Sequence, residues 1–303
     1  MSTILIGVDD STHSEDAVAF GRRLAGATGA RVALACAFPY SDMPSRSANL
    51  VYRQALKDQA TQTVRRMEPL LELPDDRVER IVTANMSPAK ALHHAAEETA
   101  AALVVVGHTR HGHAGRVVPG ATAERLLHGA PCPVAIVPDG YRDRVEDPVR
   151  RVGVGYVDTP EARAALTAAA AIARAWRARL EVISAVPIEG ARFRRGLAPD
   201  DLHAQIAEQV RAELKTVVNA LRTELWAEAV VLDGDAAEQL AGHSAQLDLL
   251  VMGSRGCGPL HAVLAGGVSG RVSREAHCPV IVVPRGVEAP LAELFDQPAA
   301  TSA

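Results

Sequence analysis

The sequence predicts an α/β protein made of two tandem domains, each a five-stranded parallel sheet with helices on both faces. Three observations carry this. Short apolar runs alternate with segments of helical periodicity along the whole chain, the pattern of a parallel sheet whose crossovers are helices. The chain also repeats itself: LVVVG (103–107) matches LLVMG (249–253), Gly120 matches Gly266, and APCPVAIVP (130–138) matches AHCPVIVVP (276–284), all at an offset of 146. ILIGVDDS (4–11) matches VGVGYVDT (152–159) at an offset of 148, so a two-residue deletion is expected near the helix before Leu249. A repeat this long is a duplicated domain rather than a solenoid. Finally, 303 residues suffice for two domains of about 150 residues each.

In the first copy, Thr3 to Val8 reads as a strand, and Thr12 with Glu15 has capping-box spacing for a helix to about Thr28. Val32 to Ala37 is the second strand, FPYSDMPSRSAN a polar loop, and Leu50 to Leu71 a helix broken by Pro74. Val78 to Thr83 is the third strand, and Pro88 opens a helix at a position that tolerates its missing N–H. Leu103 to Val106 and Val134 to Val137 complete five strands. The second copy repeats the order through Arg151 to Val157, Pro160 to Ala178, Leu180 to Val186, Leu202 to Trp226, Ala229 to Leu232, Ala236 to Ser244, Leu249 to Met252, Val268 to Ala276 and Val280 to Val283. These spans give domains at 1–139 and 151–286, a charged linker at 140–150 and a mobile tail at 287–303 with one helical turn. The two apolar final strands are expected to cover each other as an intramolecular pseudo-dimer, because an open edge of this composition invites aggregation.

The stretch richest in chemistry is DLLVMGSRGCGPLHAVLAGGVSGRVSREAHCPVIVVP (248–284). A buried strand runs into Gly253, Gly256 and Gly258, and after a gap Gly266 and Gly267 precede a second helical segment. Main-chain N–H groups of such a loop, with the unpaired first-turn N–H groups of the helix, cradle phosphate oxygens. The spacing Gly253, two residues, Gly256, nine residues, Gly266 resembles the ATP-binding signature of universal stress proteins, in which Ser or Thr follows the last glycine; here Gly267 stands there. The resemblance covers about residues 3–138 and 151–284 and implies two Rossmann-like domains.

It also implies an adenine nucleotide such as ATP, with or without Mg. In that family the acidic residue ending the first strand contacts the nucleotide; the matching residue is Asp9, replaced by Val157 in the second copy. The first copy keeps Gly107 and Gly120 but has Arg110 at the middle glycine and Ala121 at the hydroxyl position. Arg110 either pairs with phosphate or fills the space the glycine left. The second copy is expected to bind chiefly, through Gly253, Ser254, Arg255, Gly256, Gly258, Gly266, Gly267, Val268 and Ser269, with Val157 and Val186 beside the adenosine.

Composition excludes other classes. The halves carry 17 basic against 18 acidic residues and 15 against 18, not the basic balance of a nucleic-acid binder. No apolar run approaches a membrane span, and MSTILIGVDD begins directly with a strand, so a cytoplasmic location is expected. Four cysteines without CxxC do not form a disulfide or zinc framework. HTRHGH (108–113) gathers three imidazoles, but its spacing fits no familiar metal site and no cysteine or carboxylate completes it, so it reads as an exposed loop. His93 and His94 read as helix surface. No nucleophile, base and orienting acid can be assembled, and GxxxxGK[ST] is absent, so no enzyme beyond a slow ATP hydrolase is expected. What the resemblance to universal stress proteins implies is a nucleotide-dependent switch in stress adaptation, homo-oligomeric and acting on a protein partner. The alternatives are a nucleotide-free interaction protein with degenerate loops and a weak ATP hydrolase.

Overall fold

The structure is a computed structural model that describes residues 2–40, 48–108, 121–187, 199–254, 267–286 and 290–296. The chain divides into two compact units, the first formed by Met1–Asp147 together with the residues from Glu293 onward and the second by Pro148–Ala292. In unit 1, β1 (Thr3–Gly7), β2 (Arg31–Phe38), β3 (Val78–Ala84), β4 (Ala101–Gly107) and β5 (Val134–Val137) lie in the order β3-β2-β1-β4-β5. All pairs are parallel, with Ile4 beside Val32 on one side and Leu103 on the other. The crossovers are α1 (His13–Thr28), α2 (Ala48–Met67), α3 (Pro88–Glu98) and α4 (Ala121–Leu127). Unit 2 repeats this with β6 (Arg151–Gly155), α5 (Pro160–Trp176), β7 (Arg179–Val186), α6 (Pro199–Leu221), β8 (Ala227–Asp233), α7 (Ala236–His243), β9 (Leu249–Gly253), α8 (Val268–Glu275) and β10 (Val280–Val283). Its order is β8-β7-β6-β9-β10, again parallel. In each unit strand order reverses beside the first strand, the place where such sheets open a crevice at their carboxyl ends.

The central strands are apolar on both faces because helices cover both. Ile4, Leu5, Ile6, Leu103, Val104 and Val105 are fully buried, and each side chain of this size stabilises the fold by about 1.5–3 kcal/mol relative to exposure. In α5 the run of alanines at 168–171 and Ile172 is almost wholly buried, which lets the helix backbone lie close to the sheet. No helix among the described residues is long and apolar enough to cross a membrane.

Several boundaries differ from the sequence expectation, each for a local reason. The capping box at Thr12 is not formed: Thr12 is helical and its side chain caps nothing. Instead Ser14 Oγ accepts from the Asp9 amide and donates to the Asp9 carboxylate. The helix expected over Leu50 to Leu71 is an α-helix only as far as Met67, because Pro69 lacks the N–H that would continue it, and a 3₁₀ turn Glu68–Leu71 completes the span. The helix expected to reach Trp226 ends at Leu221, since the chain must turn before β8 begins at Ala227. The two-residue deletion falls where α7 ends at His243 and passes through a 3₁₀ turn, whereas α3 runs on to Glu98.

The first part of the segment read as a charged linker belongs to unit 1. Gly140, at φ 78°, turns the chain into a 3₁₀ helix, Tyr141–Arg144. Buried Asp16 accepts hydrogen bonds from the amides of Gly140 (3.1 Å) and Arg142 (2.9 Å) and pairs with the Arg142 guanidinium at 3.1 Å. Tyr141 meets Phe20 edge to face, ring centroids 5.4 Å apart. In the expected tail, α9 (Pro290–Asp296) buries Leu291, Leu294 and Phe295, an i, i+3, i+4 stripe that a single turn would not provide.

Unit 2 carries a charged cluster at the amino ends of its strands. Glu181, 1% exposed, receives His243 Nε2 at 2.7 Å and Arg151 Nε at 3.1 Å. Nearby, Asp248 accepts the amides of Arg150 and Arg151. At the corresponding positions of unit 1, offset 148 or 146, stand Ala33, Ala95, Thr3 and Ala102.

Candidate functional site

Each unit has a cleft at the carboxyl ends of its strands, at the reversal of strand order, and the two clefts are built from corresponding residues. The unit 1 cleft, about 120 Å³, is lined by the ends of β1, β2 and β4 and the starts of α1, α3 and α4. The unit 2 cleft, about 390 Å³, is lined by the ends of β6, β7 and β9 and the starts of α5, α7 and α8. Asp9 and Gly107 line the first; Val157, Gly253, Gly267, Val268 and Ser269 line the second. Ser254 is buried at the strand end, its amide donating to the Val283 carbonyl at 2.8 Å. Val186 is placed differently: it is 1% exposed and is not part of the lining, which β7 supplies through Ile183, Ser184 and Ala185. Gly120, Arg255, Gly256, Gly258 and Gly266, with Arg110, His111 and His113, lie outside the described residues.

Asp9 is held rigidly. Its Oδ1 accepts from the Ser11 amide at 3.0 Å, from the Ser11 hydroxyl and from Ser14 Oγ at 2.8 Å. Burial pushes its pKa up, but the bonds from Ser11 and Ser14 and the nearby His13 outweigh that and leave it below the ordinary value. In unit 2 the neighbouring Asp158 is not part of the cleft lining; it pairs with Arg163 at 2.8 Å and accepts from the Tyr156 hydroxyl at 3.3 Å.

Gly107 and Gly253 are required by packing before any ligand is considered. A Cβ on Gly253 would lie 2.6 Å from the Glu161 carbonyl carbon, so the strand end abuts the first turn of α5. Gly267 is the opposite case. Its backbone is extended (φ −60°, ψ 156°), it precedes α8 without a side-chain cap, and a Cβ there would meet open space. The first-turn amides of α8 border the cleft through Val268 and Ser269.

Other candidates resolve structurally. His13, Asp16 and Asp139 bring one metal-ligating atom each within 4.8 Å of one another, but Asp16 is already committed to Gly140 and Arg142. Cys36 and Cys132 are buried, and burial foremost pushes their thiols up to about 11 and about 12. Sequence reasoning missed Tyr156, Glu161, Ile183, Leu240 and Met252 in the cleft. Placing the copies in register would have found them, since they match Val8, His13, Ala35, Leu92 and Val106 of the other cleft.

Comparison with known proteins agrees with this duplicated architecture. The profile of the Universal stress protein family matches residues 1–138 and again 148–284. A universal stress protein of Mycobacterium tuberculosis is 30% identical over 211 residues, 66% of this chain and 70% of the relative. One from Thermus aquaticus is 32% identical over 134 residues, 43% of this chain and 95% of its own length. The crystal structure of a universal stress protein from Archaeoglobus fulgidus superposes with a TM-score of 0.70 at 17% identity, over 94% of this chain and 96% of that one, a likeness of fold. With two family domains in succession and a doubly wound sheet in each, the chain belongs to the universal stress protein family, in its tandem form.

Proposed function

We propose that the protein binds an adenine nucleotide such as ATP, chiefly in the unit 2 cleft, and acts in stress adaptation by switching a protein partner according to the nucleotide held. The observation that carries this reading is the unit 2 cleft itself. It lies at the reversal of strand order, is walled by apolar side chains suited to a base, and ends at the uncapped first turn of α8, where amide N–H groups suit phosphate. The glycine spacing at 253, 256 and 266 supports the same placement. Mg would accompany a triphosphate. The role in this reading is binding, with slow hydrolysis at most; among the described residues lining this cleft, Glu161 is the one carboxylate.

A second reading, a nucleotide-free interaction protein, is favoured by the packing account of Gly253, which needs no ligand. Denaturing the purified protein and analysing the supernatant for adenine nucleotides, followed by calorimetry with ATP and AMP, separates the two. Release or saturable binding supports the nucleotide reading. An empty protein with no heat of binding supports the other.

A further inference from the structure

At one corner of each cleft an acidic and a basic side chain lie together, and the two residue types exchange places between the units. In unit 1, His13 at the start of α1 lies with Nδ1 3.5 Å from Asp139 Oδ1, just beyond β5. In unit 2 the corresponding positions hold Glu161, in the first turn of α5, and Arg285, just beyond β10, with Glu161 Oε1 3.4 Å from Arg285 Nε. His13 and Glu161 are the members that line the clefts. The exchange coincides with a second one: the carboxylate at the end of β1, Asp9, is replaced at the end of β6 by Val157, which is 41% exposed. Each described lining therefore holds one carboxylate, from a strand end in unit 1 and from a helix start in unit 2. Asp158 is not among the described lining residues, and Arg163 and the Tyr156 hydroxyl engage its carboxylate.

We propose that Glu161 is the group that recognises the ligand's sugar hydroxyls in unit 2, in place of the carboxylate lost at Val157. This rests on the adenine-nucleotide reading above. A carboxylate has two oxygens and accepts hydrogen bonds from neighbouring hydroxyls, as acidic residues do with ribose in other nucleotide sites. The Glu161 side chain is only 14% exposed, and Arg285 braces it from the solvent side. Negative charge is well placed in the first turn of a helix, and it repels phosphate. The cleft is thus polarised, with a hydroxyl acceptor on the α5 wall and amide donors on the α8 wall, which orients a nucleotide with its sugar toward Glu161 and its phosphates toward Val268 and Ser269.

The test is calorimetry on the full chain carrying Asp9→Asn, which removes the charge of the unit 1 carboxylate while keeping an oxygen for Ser11 and Ser14. AMP and 2′,3′-dideoxy-AMP are titrated with and without Glu161→Gln, a substitution that conserves size. The expected result is a preference for AMP of about tenfold or more, as for a charge-assisted hydrogen bond lost, collapsing to near unity with Glu161→Gln through weaker AMP binding alone. An undiminished preference in a Glu161→Gln chain that unfolds at the parent's temperature overturns the assignment and leaves the nucleotide reading intact. Absence of any adenine-nucleotide binding by the unsubstituted chain overturns both. Glu161→Ala, carrying the same loss of preference, guards against a residual hydrogen bond from the glutamine.

Discussion

Gly107 ends β4 against the main chain of His13: a Cβ on the glycine would lie 2.2 Å from the His13 carbonyl oxygen. The obstacle is backbone, which cannot rotate away, so Gly107→Ala should displace α1 and destabilise unit 1 by about 1–3 kcal/mol. Gly253→Ala should do the same to unit 2 through Glu161 and Ala162. Urea unfolding of the two variants measures both, and a fall in stability without added nucleotide identifies these glycines as packing residues.

Gly267→Ser should have the opposite sign. The backbone is already extended and the space open, so the new hydroxyl is free to cap α8, adding a few tenths of a kcal/mol. It also supplies the hydroxyl that follows the last glycine in the nucleotide signature, so affinity for ATP should rise several-fold by calorimetry.

Asp16→Ala should be among the most damaging single changes in unit 1. The carboxylate is fully buried and binds two amides and the Arg142 guanidinium. Its loss strands those donors, at about 3–5 kcal/mol, and releases Tyr141 from Phe20. Chemical denaturation gives the total, and proteolysis near residue 140 should accelerate.

Asp9 should make unit 1 acid-sensitive. Its pKa in the folded chain lies below the ordinary 3.8, so its stabilising contribution is complete above that value and disappears as pH falls through the lower, folded value. Ser14→Ala removes a bond to the charged form and should bring the Asp9 pKa nearer to 3.8. The difference in stability between the unsubstituted chain and Ser14→Ala should therefore be present at neutral pH and shrink as pH falls below 3.8, as followed by denaturant unfolding at each pH.

Strand and helix order was legible because burial on both faces writes continuous apolar runs such as Leu103 to Val106, and duplication wrote them twice. Cleft residues were legible where a motif marks them: Asp9, Gly107, Gly253 and Gly267. What escaped was side-chain traffic across elements. Thr12 and Glu15 have capping spacing, yet Ser14 is drawn instead to Asp9, a contact set by the loop's path. Glu161 and Arg285 are 124 positions apart in the sequence and meet only because α5 starts beside the end of β10. Val186 lies next to Ala185 in sequence, but only the latter belongs to the cleft lining.

The buried Glu181 with His243 and Arg151 has a consequence for inheritance. A segment of unit 2 that carried Glu181 alone into unit 1 would set a carboxylate at Ala33, with Ala95 and Thr3 at the positions of its two partners, and an isolated buried charge costs about 3–5 kcal/mol. The reverse copy would leave His243 and Arg151 without their anion. Exchange of sequence between the duplicated halves is thus penalised in either direction unless all three positions travel together.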